Sequence, residues 1–491
     1  MEGVSYESAF LAGELGLDNL IVLYDSNNMS LDGSTNLTFT ENVRERFEAL
    51  GWYTILVNSK NKVSEIDKAI KKAKKSNLPT LIEIKTILGE GSLLENTNKV
   101  HGKVLEKKDI LRLKENLNIK SEDFYVDEIS VSEFRKQIST RSEIKYNNWV
   151  RKYNEYVLEN KNNLFDNFIN KKYNLNMESI EIKKKESLRD ANHRVMNNIS
   201  QNTNLLFGGS ADLASSCKTY LDGKGDFTVT NYNGSNLWFG VREHAMGAIL
   251  NGLALTGYMP YGSTFLTFSD YVKPAIRMSA IMNLPVTYIF THDSIVNSED
   301  GPTHEPIEQL TNLRSIPNLT VYRPTDIKEV IGSWNSIFKR KEPAVLILSR
   351  KETYTLLDTD DEKVENGAYV VFKENEKIDA ILLSSGSDVE VALRVALKLN
   401  EEGKSIRVVS MPSMELFNKQ SLKYRNEILP VGKKVIVIES NVATELRDFV
   451  SNSKYLITLN NHFGYSGKEE DVLTKMNFNI NQIIARVRNL L

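Results

Sequence analysis

The chain alternates segments of helical periodicity with short apolar runs, and this alternation limits its fold more than any other feature. Ser5 to Leu15 places Tyr, Phe, Leu and Ala at helical spacing, and the apolar run Leu20 to Tyr24 follows after Gly16. The same order recurs in the helical segment Ser64 to Lys75 and the apolar run Leu78 to Thr86. Helices that alternate with short buried strands are typical of parallel α/β sheets. We therefore predict an α/β protein.

The alternation resumes after a long polar stretch and continues to the end of the chain. From about Lys103 to Lys185 the sequence is rich in Lys, Asn and Glu, with aromatic residues at helical spacing, which predicts a helical connector. Apolar strands return at Val286 to Phe290 and at Ala344 to Ser349, and another α/β pattern begins beyond Asn366. A chain of 491 residues, 41% of them hydrophobic, can fill several cores. The predicted segments are an α/β domain over 1–125, a helical connector over 126–186, a second α/β domain over 187–355 and a third over 365–491.

Charge and cysteine content limit the partners and the compartment. The 62 Lys and Arg residues nearly balance the 64 Asp and Glu residues, and the net charge is -2. This balance gives no general field for nucleic acid or an anionic membrane, so any anionic ligand must be bound locally. The single Cys217 excludes an intramolecular disulfide framework, the opening segment lacks a signal-peptide pattern, and no apolar run reaches membrane-spanning length. We predict a soluble, cytoplasmic protein.

The first cluster with chemical potential is YDSNNMSLDG, Tyr24 to Gly33. It follows the carboxyl end of a predicted buried strand, where open α/β sheets bind ligands. The Asn27 side chain and the Met29 backbone carbonyl could offer oxygens to a hard cation such as magnesium, which often bridges to a diphosphate. Asn-rich loops after strands are also ordinary turns, and the residues alone leave both interpretations open.

The second cluster combines an acidic helix start with an aromatic run. In GVREHAMGAILNGLALTG, Glu243 begins a predicted Ala-, Leu- and Gly-rich helix. A carboxylate there is ordinarily a capping device that interacts with the helix dipole. The following segment STFLTFSDYVKPAIR contains Phe265, Phe268 and Tyr271, which could stack on a heteroaromatic ring or belong to a core.

The third cluster is the segment THDSIVNSEDGPTHEP, which follows the strand VTYIF. It holds His292, Asp293, Glu299, Asp300 and His304, although the whole chain has 6 histidines. This concentration of titratable groups beside Gly and Pro indicates a functional site. A metal site is the competing interpretation, but the spacing matches no standard zinc pattern.

Taken in chain order, the motifs resemble those of transketolases. They are MEG, YDxNxxSLDG, VHG, GGSADLA, GVREH, STFLxFxDY, THDSxxxxEDGPTHxP, RP, LSR and FGYSG, and they extend from Met1 to Gly467. The resemblance implies a three-domain thiamine diphosphate enzyme with mostly parallel sheets, bound magnesium and a homodimeric assembly. It also implies transfer of a two-carbon ketol unit from a ketose phosphate to an aldose phosphate in the pentose phosphate pathway. The expected partners are sugar phosphates, with no nucleic acid and no membrane.

The resemblance assigns cofactor roles to residues of the first and second predicted α/β domains. Asn27 and the Met29 carbonyl would hold magnesium, while Glu2 and Glu7 fall where the family has a carboxylate network. Glu243 would bond the ring nitrogen of the aminopyrimidine, and a Glu that shares this proton favours the imino form that deprotonates the thiazolium. Further cofactor contacts are implied for His101, Asp212, Phe265, Phe268 and Tyr271.

The resemblance also assigns substrate contacts. His101, in KVHG, would face the donor ketose hydroxyl and help move its proton, and His304 is the second catalytic histidine implied. His304 and His292 would contact sugar hydroxyls or phosphate, and Asp300 would read the stereochemistry of a hydroxyl. The side chains expected to gather the terminal phosphate are Arg189, Ser216, His292 and Arg350. The histidines left as structural or surface residues are His193, His244 and His462.

The chain departs from the family pattern at its start. In the family a GDG motif precedes the MEG segment, and its Asp is a magnesium ligand, whereas this sequence begins at Met1. We therefore expect an incomplete first domain, truncated at its N-terminus, and no ketol transfer until the missing segment is supplied. Open alternatives are a gene fragment or wrong start, the C-terminal part of a split enzyme that needs a separate N-terminal chain, and a noncatalytic remnant. Deoxyxylulose-phosphate synthases and ketoacid dehydrogenase β subunits share the cofactor and the Glu-bearing helix, but the GPTHEP and SADLA segments favour transketolase.

Overall fold

The computed structural model describes residues 3–58, 63–159, 164–170, 173, 175–297, 299–459 and 462–491. The chain divides into two compact units, Met1–Leu164 and Phe165–Leu491. Glu2, which the resemblance places in a carboxylate network, lies outside the described residues. Within the described ranges, every helix is too short or too polar to span a membrane.

The first unit is an α/β fold around a parallel sheet. Among its described residues, three strands pair in the order β1-β3-β2. Its elements are α1 (Ser5–Glu14), β1 (Ile21–Ser26), α2 (Val43–Ala49), β2 (Tyr53–Val57), α3 (Val63–Ala73), β3 (Thr80–Lys85), α4 (Lys107–Asn116) and α5 (Glu128–Glu159). The predicted helices and strands at the start of the chain are thus confirmed. However, β1, predicted from the sequence to be buried, is largely accessible, with Leu23 50% exposed, and it lies at an edge of the described sheet.

Apolar residues on opposite sides of the central strand β3 form the cores of the first unit. Leu81 packs in one cluster with Phe47 and Trp52, while Ile82 packs in another with Ala69. Both β3 residues are fully buried. A central parallel strand covered on both faces is expected to be apolar along its length, and this explains the run TLIEI. The one charged residue in that run, Glu83, is therefore exceptional.

The second unit contains two larger sheets. Its first half comprises α6 (Leu164–Ile169), at whose start the division falls, β4 (Lys185–Ser187), α7 (Leu188–Asn202), β5 (Leu206–Ser210), α8 (Ala214–Cys217), β6 (Asn236–Trp238), α9 (Glu243–Leu255), β7 (Met259–Phe265), α10 (Ser269–Met282), β8 (Thr287–Thr291), α11 (Gln309–Arg314), β9 (Thr320–Tyr322), α12 (Ile327–Arg340), β10 (Ala344–Leu348) and β11 (Glu352–Tyr354). In this described half, a parallel sheet has the order β6-β5-β7-β8-β10-β9, and β11 pairs antiparallel with β4.

The last part of the second unit forms its own sheet. Its elements are β12 (Tyr369–Phe372), β13 (Ala380–Ser384), α13 (Asp388–Glu401), β14 (Ile406–Ser410), α14 (Met414–Asn418), α15 (Leu422–Ile428), β15 (Val435–Ile438), β16 (Leu456–Ile457), α16 (Glu469–Lys475) and α17 (Ile480–Leu490). The order is β12-β14-β13-β15-β16, with β12 antiparallel and the other pairs parallel. We call this the C-terminal sheet.

Two glycines on β5 allow this strand to lie close to its neighbours β6 and β7 in the first sheet of the second unit. A methyl group added at Gly208 would lie 1.9 Å from the Tyr261 carbonyl oxygen, and one at Gly209 would lie 1.8 Å from the Leu237 carbonyl oxygen. Because those oxygens belong to the neighbouring strands β7 and β6, a side chain at either position would separate the strands. The GGS part of the GGSADLA motif therefore has a packing function.

Candidate active site

A cavity of about 600 Å³ lies at the carboxyl end of β1 in the first unit. Its lining includes Asn27 and Met29, and the loop beyond them closes when the Ser30 N–H donates to the Gly33 carbonyl at 2.7 Å. Asn27 Oδ1 accepts a hydrogen bond from the Met29 N–H at 3.0 Å, forming a local turn. An amide oxygen has two lone pairs, so Asn27 retains the capacity to bind a cation. The turn and metal-ligand interpretations are compatible.

The oxygen atoms that line this cavity could supply part of the coordination shell of a magnesium ion. The lining offers amide, hydroxyl and carboxylate oxygens, which are the ligands that magnesium prefers. Across the described residues, no group of three or more His, Cys, Asp and Glu side chains is arranged to hold a metal ion. A magnesium ion held through Asn27 and Met29 would need further oxygen ligands, such as those of a diphosphate.

An ion-pair network around the buried Glu83 supports the end of β1 that leads into Asn27. Glu83, on β3, accepts from Lys85 Nζ at 2.5 Å and from Arg44 Nε at 3.1 Å. Lys85 Nζ also donates to Ser26 Oγ at 2.9 Å, and Ser26 immediately precedes Asn27. Burial opposes ionisation of Glu83, but hydrogen bonds from Lys85, Ser26 and Arg44 outweigh it and hold the Glu83 pKa below its ordinary value. The network fixes the residue from which the Asn27 loop departs.

His101 lies on an exposed turn of the first unit, directly after the short helical turn Asn98–Val100. Asn98 Nδ2 donates to the Leu31 carbonyl at 3.1 Å, so the VHG turn is tied to the SLDG loop that follows Asn27 and Met29. Two motifs that are far apart in sequence are thereby joined in one region of this unit. Glu7 lies on α1 and is partly buried.

Glu243 is the first residue of α9 in the second unit, and its side chain is buried at 8% exposure. The helix is held tightly to its neighbours, since a methyl group at Gly247 would lie 2.6 Å from Val272 and 2.7 Å from Ala275 of α10. Asn251 of α9 also donates to the Ala275 carbonyl at 3.0 Å. The close α9–α10 contact fixes where the Glu243 carboxylate emerges.

The aromatic residues and histidines of the second and third clusters lie together. The Phe265 and Phe268 rings are stacked, with centroids 5.8 Å apart and an angle of 20° between planes. The Phe265 ring lies 3.8 Å from the His292 ring, and the Phe268 ring lies 5.4 Å from the His304 ring. Tyr271, by contrast, is 69% exposed on α10.

His292 is a buried, neutral imidazole beside cationic side chains. Its Nδ1 lies 2.9 Å from Thr291 Oγ1, and its backbone has a left-handed φ of 63°. Burial lowers the His292 pKa to about 3, and the positive charges of Arg350 and Arg189 act in the same direction. His292 can therefore donate or accept hydrogen bonds at neutral pH without adding a positive charge.

The predicted phosphate-binding residues also converge. Arg189, at the start of α7, donates through Nη1 to the Ser216 carbonyl at 2.9 Å. Arg350 Nη1 lies 3.2 Å from Asp300 Oδ2. The positive charges of both arginines act on the same imidazole, since each lowers the pKa of His292. Because the balanced net charge gives no general attraction for anions, an anionic ligand must be bound locally, and these arginines provide positive charge for it.

The remaining predicted residue, Asp212, is exposed and adopts a left-handed φ of 61° between β5 and α8. Sequence reasoning missed other charged residues around these sites, namely Arg44, Glu83, Lys85, Glu305 and Arg323. A charge inside an apolar strand was an available signal for Glu83. Glu305 and Arg323 lie within the THEP and RP motifs themselves, but the motifs assigned neither residue a role and did not reveal its burial.

Comparisons with known proteins support one family along the chain. Models of the transketolase thiamine diphosphate binding domain, the transketolase pyrimidine binding domain and the transketolase-like C-terminal domain match residues 1–172, 184–355 and 367–479. The transketolase of Bacillus subtilis is 41% identical over 507 residues, covering 100% of this chain and 76% of that relative.

Solved structures give the same result. The transketolase of Leishmania mexicana matches with a TM-score of 0.95 at 34% identity, covering 100% of this chain and 74% of that chain. The transketolase of Pichia stipitis in complex with sedoheptulose 7-phosphate matches with a TM-score of 0.94 at the same identity and coverage. The three-domain α/β architecture predicted from the sequence is confirmed. The chain therefore belongs to the transketolase family, and it is a transferase with a thiamine diphosphate binding domain.

Proposed function

We propose that the protein moves a two-carbon ketol unit from a ketose phosphate to an aldose phosphate, with thiamine diphosphate and magnesium as cofactors. The observation that carries this proposal is the convergence of His292, His304, Arg189 and Arg350 beside the stacked Phe265 in the second unit. Cations and hydrogen-bonding imidazoles around one aromatic wall suit a phosphorylated polyol. The bound sugar phosphate in the Pichia stipitis relative has that chemistry.

Glu243 is the residue we assign to the cofactor pyrimidine. A largely buried carboxyl group on a firmly packed helix can hold a proton at one ring nitrogen with little freedom to move. When bound, thiamine diphosphate supplies the nucleophilic carbon that accepts and releases the ketol unit. The Phe268 ring, which stacks on Phe265, would provide a platform for the pyrimidine. The other side chains proposed to contact the cofactor are Asp212, Tyr271 and His101.

The first unit would hold the diphosphate through magnesium. Asn27 Oδ1 and the Met29 carbonyl are the proposed protein ligands, at the edge of a cavity large enough for a diphosphate. Lys85, anchored on Glu83 in the same cavity, adds a positive charge near that edge. These residues would orient the cation and reduce the repulsion between phosphate oxygens.

Substrate handling is assigned to the residues around His292. Arg189 and Arg350 would bind the terminal phosphate through charge-assisted hydrogen bonds, with Ser216 beside Arg189. His292 would hydrogen-bond a hydroxyl or phosphate oxygen as a neutral group, because its pKa lies far below neutrality. The residues proposed to contact the sugar chain and move its protons are His101, Asp300 and His304.

A homodimer is part of the proposal. α10 presents Tyr271, Met278, Ile281 and Met282, each at least 43% exposed in the single chain. A group of large apolar side chains on one helix is suited to burial against a second copy. Sedimentation should then give a dimer, and a well-folded monomer would contradict this arrangement. A cytoplasmic location and the domain limits 1–125, 126–186, 187–355 and 365–491 complete the proposal.

The direct test is turnover of sugar phosphates by the purified protein. Xylulose 5-phosphate and ribose 5-phosphate are incubated with the protein, thiamine diphosphate and magnesium, and sedoheptulose 7-phosphate is measured. We expect product that depends on both sugars and on both cofactors, in reactions to which an N-terminal segment bearing the family's GDG motif has been added. Product that forms without thiamine diphosphate, or saturable cofactor binding without any ketol transfer, would contradict the assignment.

A further inference from the structure

A buried arginine joins the two sheets of the second unit at their carboxyl ends. Arg323 follows β9, and none of its surface is exposed. Its Nη1 contacts Asp388 Oδ2 at 2.8 Å and Glu439 Oε2 at 2.6 Å, both at the carboxyl edge of the C-terminal sheet. Its Nη2 contacts Asp293 Oδ2 at 2.9 Å, at the carboxyl end of β8. One guanidinium therefore bridges the loop after β8 to the C-terminal sheet.

The neighbouring backbone is shaped to accept this arginine. Gly386 has a φ of 57°, and a methyl group there would lie 2.7 Å from Arg323 Cγ and Nε. The Gly386 N–H donates to the Arg323 carbonyl at 2.9 Å. Ser387 Oγ donates to Asp293 Oδ2 at 3.1 Å, adding a second bond from the C-terminal sheet to the same loop. Backbone and side-chain groups after β13 therefore contact both Arg323 and the loop after β8.

Asp293 directly follows His292, whose left-handed backbone needs support from its surroundings. A residue other than glycine in this conformation costs on the order of 1 kcal/mol, which the packing around it must offset. The Arg323–Asp293 contact restrains the backbone immediately after His292. It therefore limits how far the imidazole can shift from Phe265 and the neighbouring cations.

The far end of the same loop also rests on the C-terminal part of the unit. Ser466 Oγ donates to the Glu299 carbonyl at 3.3 Å. A methyl group at Gly464 would lie 1.6 Å from Glu305 Oε2, so this glycine lies directly against the Glu305 carboxyl. Residues 292–297 and 299–305, which we call the substrate loop, are thus contacted near both ends of this range by residues that follow β13 in the chain.

We propose that the C-terminal sheet fixes the substrate loop, and that Arg323 is the positioning residue that sets His292 for substrate binding. The inference deepens the proposed function and rests on its assignment of His292 to the sugar phosphate. A purely stabilising ion pair is the alternative, because buried pairs often contribute little beyond stability. The positioning role and the stabilising role differ in which carboxylate should affect substrate binding. Positioning requires Asp293, whereas stabilisation treats the carboxylates around Arg323 alike.

Asp293 and Asp388 form a matched pair for this test. Both carboxylates are 4% exposed, and they lie 2.9 and 2.8 Å from the same guanidinium. Asp293→Asn and Asp388→Asn each remove one negative charge from Arg323, but Asp293 alone of the two belongs to the substrate loop. Glu439→Gln replaces Asp388→Asn as the control if the latter does not fold.

Hydrogen–deuterium exchange of peptides covering residues 291–306 is the first measurement. We expect Asp293→Asn to accelerate exchange there by about tenfold, the effect of losing one charge-assisted hydrogen bond, and the control to change it by less than about twofold. Equal acceleration in both variants, or none in Asp293→Asn, would overturn the positioning role. This measurement does not depend on catalysis.

The second measurement is ribose 5-phosphate binding to the protein loaded with thiamine diphosphate and magnesium, by calorimetry. We expect Asp293→Asn to weaken binding by about tenfold and the control to preserve it. If the wild type itself fails to bind the sugar phosphate, the assignment of His292 to substrate fails, while the exchange experiment still decides whether Arg323 positions the loop. Loss of affinity in both variants alike would reject a specific role for Asp293.

Discussion

Glu305 should make the stability of the second unit depend on pH. Its side chain is 2% exposed, and its carboxyl oxygens have no hydrogen-bond donor among the described residues. Burial raises the Glu305 pKa from its ordinary 4.5 to about 7. The perturbation is Glu305→Gln, which removes the ionisable group and nearly preserves its shape.

The sign and size of the effect follow from linkage. Because the folded-state pKa is raised, Glu305 contributes stability that is fully present below about pH 4.5 and is lost as pH rises through about 7. One pKa unit corresponds to about 1.4 kcal/mol, so the difference between pH 5 and pH 8 is about 2 to 3 kcal/mol in the free energy of unfolding. At pH 8 the native protein should therefore be less stable than it would be if Glu305 did not ionise.

The assay is urea unfolding of wild type and Glu305→Gln across this pH range, followed by tryptophan fluorescence with the buried Trp334 as a reporter of the second unit. We expect the variant to gain about 2 to 3 kcal/mol relative to wild type on going from pH 5 to pH 8. Glu299→Gln, which removes an exposed carboxyl from the same loop, is the control and should follow wild type. Parallel pH profiles for wild type and Glu305→Gln would refute the reasoning.

Three further predictions concern the assigned site residues. Glu243→Gln should lower ketol transfer by at least about a hundredfold with little change in the thermal midpoint, and comparable losses of folding and activity would reject its catalytic role. Arg189→Ala or Arg350→Ala should raise the KM for phosphorylated sugars by about 10- to 100-fold, or about 1.5 to 3 kcal/mol, with a much smaller effect on an unphosphorylated donor. Equal effects on both donors would remove the phosphate assignment. Asn27→Ala should raise the magnesium concentration needed for thiamine diphosphate binding by about tenfold, measured by titration, and an unchanged requirement would exclude Asn27 as a ligand.

The strands were predictable because buried parallel strands are apolar along their length. Leu81, Ile289 and Leu382, one from each of three such apolar runs, are all fully buried. The site motifs could be recognised from their order along the chain, but the proximity of Arg189 to His292 came from the family resemblance and not from spacing. No local pattern brings α7 next to the loop after β8.

The buried charges were beyond sequence reasoning for a physical reason. Arg323 and Glu305 have the residue types of surface positions, and their burial depends on groups far away in the chain. Arg323 is neutralised by Asp388 and Glu439, while Glu305 is covered at Gly464. Such long-range compensation leaves no periodic signal. The left-handed backbone of His292 is likewise visible only in the folded structure.

The close approach at Gly208 and Gly209 affects how mutational tolerance in this protein should be interpreted. A library of all single substitutions, selected for growth through the enzyme, should be depleted at both glycines as strongly as at Glu243, although neither glycine has a proposed role in chemistry. Measuring cellular abundance in the same library would separate the two causes. Variants at the glycines should disappear from the soluble fraction because β5 can no longer approach its neighbours, whereas Glu243 variants should remain abundant and inactive.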